Sequence, residues 1–244
     1  IEILTLFLQV NISLLVDLIM NYELCIMNYE FKKTLDELVV KYNVPEFADS
    51  DPVQFPRRYS QKNDIEIVSF LIATIAWGKR SMILNSANRL LNTMGNSPYD
   101  FVMSDGWKKL DSDKCVHRTF FNRDLIYYCN GLKDIYKEHQ SLEDIFTLDG
   151  NHDAWQGIQN FRDRIQRAND GTSSVHISNP CCDNPKKGSA CKRLHLALRW
   201  LVRNDGIVDL GIWNKIKPTE MIMMQLYPEI YSCIGCNGCT KSCT

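Results

Sequence analysis

Apolar positions along this chain recur at three- and four-residue intervals, with no sustained two-residue alternation, and that spacing predicts helices joined by polar turns. Phe31, Leu35, Leu38 and Val39 form a first helical stripe after Met27. The stretch 43–61 follows, with three prolines and the pair Arg57-Arg58, and reads as an extended loop. Asp64 is placed to cap a helix over 65–77 that is apolar almost all round, the pattern of a helix lying inside a domain. A short Gly78-Lys79-Arg80 turn leads into a second helix, 81–94, so the two form an αα-hairpin with a basic tip. Another short helical turn is expected within 98–113, and helices over 120–137, 142–146 and 154–168 come next. After two loops, Ser189 is a plausible N-cap for a helix running to Arg203, and 208–213 is a short apolar segment. The expected fold class is therefore all-α, with about eight to nine helices.

Composition narrows the function classes. A chain of 244 residues that is 45% hydrophobic and 23% charged can build a genuine core. Its formal net charge of −1 argues against wholesale attraction to nucleic acid or anionic membrane, so such binding must come from a local patch. Residues 1–20 are apolar but interrupted by Glu2, Asn11 and Asp17, a poor signal peptide and a poor membrane span. No membrane association is expected, and the location expected is cytoplasmic. The organisation read from the chain is an extra helix or translated leader over 1–26, a helical domain over 27–220 and a cysteine-rich tail over 221–244.

The local patch has a clear candidate. Lys192, His195, Arg199 and Arg203 are spaced three or four apart and line one face of the 189–203 helix, opposite Leu194, Ala197, Leu198 and Leu201. Gly188 and Ser189 turn into that helix, whose free N–H groups and dipole favour an anion such as a phosphate. The plainer reading is a solvated charged face over a core helix.

Three stretches carry a resemblance. The segment 64–95, with Gly78, Lys79 and Arg80 at its tip, the run Phe120-Phe121-Asn122-Arg123-Asp124-Leu125, and the segment 187–203 resemble the helix-hairpin-helix DNA glycosylase superfamily. Residues 27–220 look like a bacterial family of unknown function that is similar to a remote branch of it. The resemblance implies two helical lobes with a cleft between them, a duplex DNA partner, and a tip at Gly78, Lys79 and Arg80 that enters the minor groove. It further implies DNA contacts from Gly188, Ser189, His195, Arg199 and Arg203, with Lys192 at the position of the catalytic lysine of lyase-type members. A lysine there would attack the sugar C1′, expel a base and form a Schiff base, which needs a neutral amine. Burial, the neighbours Arg193 and Lys187 and the helix start would all favour that form. Trp77, Trp200 or Trp213 would line a pocket for a base taken out of the stack. The aspartate that follows the lysine helix in glycosylases has no counterpart after Glu220, and Asp205 and Asp209 do not occupy its position. An inactive, DNA-binding module is thus the first alternative.

Ten cysteines are unevenly spread, and Cys233, Cys236, Cys239 and Cys243 have the spacing of a ferredoxin-type run that would hold a [4Fe–4S] cluster. Four thiolates also suit zinc, and a nonfunctional end is the third reading. With a functional cluster, the chain would be an electron carrier or a partner-binding protein.

Overall fold

The computed structural model describes residues 29–177 and 191–220. The chain divides into two compact units, the first running to Phe47 and the second from Ala48. Residues 29–42 are helical (α1), and the stripe of Phe31, Leu35, Leu38 and Val39 is exposed. Helix α2 spans Pro45–Ser50.

The second unit is built around α3, Lys62–Ile75. Every side chain from Asp64 to Ile75 is buried, as an all-round apolar pattern requires. Helix α4 (Arg80–Met94) returns beside it, turning its Ile83, Ala87, Leu90, Leu91 and Met94 inward. Asp64 does not cap α3, which starts two residues earlier with Gln61 before it. Its carboxylate instead accepts from the backbone N–H of Tyr99 at 2.8 Å, in the first turn of the next helix, α5 (Pro98–Met103).

The fold is predominantly helical, but a hairpin that periodicity did not anticipate follows. Strand β1 (Cys115–His117) pairs antiparallel with β2 (Phe120–Phe121), leaving Arg118 and Thr119 as the turn. Arg118 has φ 53°, the left-handed backbone that tight hairpin turns use at their first central residue. Helices α6 (Asn122–Glu138), α7 (Glu143–Phe146) and α8 (Ala154–Ala168) come next. A Cβ on Gly131 would stand 2.6 Å from Ile165, so α6 and α8 meet at a distance only glycine permits. Phe70 of α3 stacks on Phe146 and Phe161, which joins this group to the central helix.

Helix α9 (Lys192–Val202) lies against α3. It begins later than Ser189, and the residue before it, Cys191, is buried with a left-handed backbone. The apolar segment 208–213 is an irregular strap. Its N–H groups at Leu210 and Gly211 bond to the Trp200 carbonyl and that of Trp213 bonds to Leu201, satisfying the orphan carbonyls at the end of α9.

Candidate nucleic-acid interface

The C-terminal end of α3 is where three separate segments converge. Past Ile75 the chain unwinds through Ala76 and Trp77 into Gly78, whose φ of 98° only glycine adopts without strain. From the hairpin, the His117 ring lies 2.9 Å from the Trp77 carbonyl through Nε2 and 3.0 Å from Ser86 Oγ through Nδ1. A carbonyl only accepts, so Nε2 carries the proton and Nδ1 accepts from the Ser86 hydroxyl. Ser86 in turn accepts from Arg89 at 2.9 Å. This chain of bonds ties the hairpin to the tip of the αα-hairpin.

The third segment is the start of α9. Arg193 donates to the Thr74 carbonyl at 2.9 Å, one of the orphan acceptors at the end of α3, where a cation also suits the helix dipole. Its guanidinium carbon lies 5.6 Å from the centroid of the Trp77 ring, and that of Arg118 lies at the same distance. Trp77 is partly exposed. Arg118 reaches it by lying on the tip itself, since a Cβ on Gly78 would meet the Arg118 guanidinium at 2.7 Å. Lys79 and Lys192, the neighbours of this cluster in sequence, are exposed, as is Arg118. Among the described residues none of Lys79, Arg118, Lys192 and Arg193 makes an ion pair with a carboxylate.

Two imidazoles lie beside the Trp77 ring, His117 with its centroid at 5.9 Å and His176 at 6.2 Å. Burial holds His117 below its ordinary value, and Arg118 and Arg89 push in the same direction. His176, whose Nε2 donates to the Thr119 carbonyl at 3.1 Å, is likewise held down first by burial, with Arg193 and Arg123 adding to it against the pull of Asp124. Deeper still, Tyr128 donates to Thr74 Oγ1, which itself donates to the Phe70 carbonyl. Burial pushes the Tyr128 phenol up to about 12.

Of the residues singled out in the sequence, Gly78, Lys79 and Lys192 fall at this convergence. Lys192 opens α9 and its side chain is exposed rather than buried. Arg80 opens α4, 4.0 Å from Asp51. His195 donates from Nδ1 to the Cys191 carbonyl at 3.2 Å, with Trp155 beside its ring. Arg199 and Arg203 are engaged: Arg199 pairs with Asp209 at 3.1 Å, and Arg203 pairs with Asp209 at 2.7 Å and with Asp205. Burial pushes the Asp209 carboxyl up, and the two guanidiniums oppose it. Asp209 and Asp205 thus bind the strap to α9. Trp200 and Trp213 are core residues rather than pocket walls, because Trp200 is fully buried and Trp213 donates from Nε1 to buried Glu66 at 2.7 Å. Gly188, Ser189, Cys233, Cys236, Cys239 and Cys243 lie outside the described residues.

Sequence reasoning passed over Arg118, His117 and His176, and took Arg193 only as a neighbour of Lys192. The hairpin residues are brought to Trp77 by pairing across a turn without glycine or asparagine. None of the described helices is long and apolar enough to cross a membrane.

Residues 51–225 match the model of a family described as a protein of unknown function (DUF2400). No curated protein and no solved structure matches.

Proposed function

Starting from a chain that belongs to this DUF2400 family of unknown function, we propose that the protein binds DNA through the cationic surface at the end of α3. The observation that carries this reading is the convergence of Arg118 and Arg193 on the partly exposed Trp77, next to Lys79 and Lys192, with no carboxylate paired to any of the four among the described residues. Four unneutralised cations from three chain segments repel one another, and an approaching phosphate backbone relieves that repulsion. On a protein of net charge −1, a local cluster of this kind is the electrostatic footprint expected for a polyanionic partner.

Binding of a fluorescent duplex, followed by anisotropy over a salt series, tests the reading. Removing one cation that meets a phosphate should reduce the slope of log affinity against log salt by about 1. Lys192→Ala and Lys79→Ala should each do so, and Lys109→Ala, on the 3-10 turn before the hairpin, should not. Equal slopes for all three variants would overturn the assignment of the surface.

A catalytic reading rests on one feature, the place of Lys192 at the first position of a helix whose next residue, Arg193, lies beside Trp77. In it the neutral Lys192 nitrogen bonds to C1′ of a damaged nucleotide as the C1′–N bond to the base breaks, the electron pair leaving on the base. The nitrogen then gives up a proton and the C1′–O4′ bond opens, its electron pair leaving on an oxygen that becomes a hydroxyl, so that a Schiff base forms. The surrounding architecture in this reading is two glycosylase-like lobes. Borohydride reduces such a Schiff base to a stable amine, so a covalent DNA adduct absent from Lys192→Ala supports the lyase, and binding without adduct leaves a non-catalytic module. The tail cysteines Cys233, Cys236, Cys239 and Cys243 suit a [4Fe–4S] cluster by spacing, which brown colour in an anaerobic preparation would register.

A further inference from the structure

The chain distributes its cations in two different ways, and the difference bears on what kind of DNA the surface takes; this step rests on the DNA-binding reading above. A row of cations along a helix face follows the phosphates of a duplex, but the members of that row at the far end of α9, Arg199 and Arg203, are held by Asp209 and Asp205. Arg118 and Arg193, which have no carboxylate partner among the described residues, are instead gathered around an aromatic ring. A ring flanked by guanidiniums is the recognition unit of an unpaired nucleotide, in which the base stacks on the ring and the phosphate meets the donors. In an intact duplex the base faces are already stacked on one another and present no surface to an indole.

From this placement we infer that the Trp77 surface takes DNA with unpaired nucleotides, a gap or a single-stranded segment, in preference to intact duplex, with Trp77 as the stacking plate and Arg118 as the phosphate contact. Two details fit this role. Arg118 sits in a left-handed turn, with φ 53°, and lies across the bare backbone of Gly78. Its guanidinium is thereby held at the ring by packing, with no hydrogen bond of its own to another group among the described residues, so its donors are available. Arg193, in contrast, spends one donor on the Thr74 carbonyl, which fixes it beside the ring as a positioning residue.

The test compares three probes of one sequence by anisotropy at fixed salt: an intact duplex, the same duplex with a short gap, and the single strand. Wild-type protein should bind the gapped and single-stranded probes about tenfold more tightly than the duplex. Trp77→Ala should abolish that preference and Trp77→Phe should keep part of it, since a smaller ring still stacks. Arg118→Ala should weaken all three probes alike. Thermal melts of each variant identify any loss that comes from unfolding, and Trp77→Phe keeps the test sharp if Trp77→Ala does not fold. Equal wild-type affinity for the three probes, or a preference that survives Trp77→Ala, would overturn the inference and leave DNA binding standing. No binding to any probe would overturn both.

Discussion

The two ends of α3 are opposites. At its start, Glu66 is buried and fully engaged: Tyr136 and the Leu142 N–H each donate to it at 2.9 Å, Trp213 at 2.7 Å and Ser141 at 2.5 Å. Close by, Glu143 is also buried, accepting from Lys62 at 2.9 Å and from the N–H groups of Asn214 and Lys215 at 2.7 and 2.6 Å. At the far end stand Trp77 and cations with no carboxylate partner among the described residues. A buried charge is tolerable only when its hydrogen bonds are complete, and the acidic end meets that condition by drawing in segments from α6, α7 and the strap. The cationic end leaves its charges on the surface, where solvent screens them. One end holds the chain together, and the other is the surface proposed to bind DNA.

The largest test of this contrast removes the holding end. Glu66→Ala leaves the donors of Ser141, Leu142 and Trp213 without this acceptor and Tyr136 with only the Asn63 carbonyl at 3.4 Å, and each orphaned buried group costs about 1–3 kcal/mol. Allowing for water entering the space, the loss of stability should be at least about 3 kcal/mol, read as a shift of the urea midpoint. Lys79→Ala should move the same midpoint by no more than about 0.5 kcal/mol, as surface substitutions do. If Glu66→Ala unfolds no more readily than Lys79→Ala, the four bonds hold nothing and the contrast fails.

Gly78→Ala works on the binding end with a smaller effect. Alanine at a φ of 98° is strained, by about 1–3 kcal/mol. The new Cβ also collides with the Arg118 guanidinium, the movable end of a long side chain, so Arg118 shifts off Trp77. DNA affinity should fall several-fold while the fold persists. A fall in stability with affinity intact would mean that the seat of Arg118 on Gly78 has no part in binding.

How much of this was readable from the sequence follows from which forces shape each part. Helix α8 spans Ala154–Ala168, the bounds that periodicity alone suggests, because a single apolar face of Ile158, Phe161 and Ile165 decides it. The all-round apolar α3 was equally plain. The hairpin was not, since five paired residues carry too little pattern and Arg118-Thr119 has none of the usual turn chemistry. Charge spacing found Lys192, Arg199 and Arg203 together, yet periodicity is blind to what a segment downstream will supply. Asp205 and Asp209 separate the two arginines from Lys192 in role. Glu66 is the reverse case, a carboxylate flanked by Ile65 and Ile67 within an apolar helix, a signal that was present in the sequence and points to a buried acceptor.

The smallest effect is a difference in sign with pH. At the cationic end, burial holds His117 and His176 below the ordinary imidazole value of 6.5, so the folded protein binds fewer protons there than the unfolded chain. Their contribution to stability is present above 6.5 and is lost as the pH falls through the lower folded values. At the holding end, burial raises Glu66 above 4.5 although its four donors pull it back. That contribution is present below 4.5 and is lost as the pH rises through the raised folded value. Urea midpoints measured between about pH 4 and 8 for the wild type, Glu66→Gln and His117→Gln separate the two. Glu66→Gln should remove a loss of stability that accompanies rising pH, and His117→Gln one that accompanies falling pH. Parallel profiles for both variants and the wild type would mean that neither group titrates in this range. A change of the same sign in both would contradict the assignment of a buried carboxyl to one end of α3 and neutral imidazoles to the other.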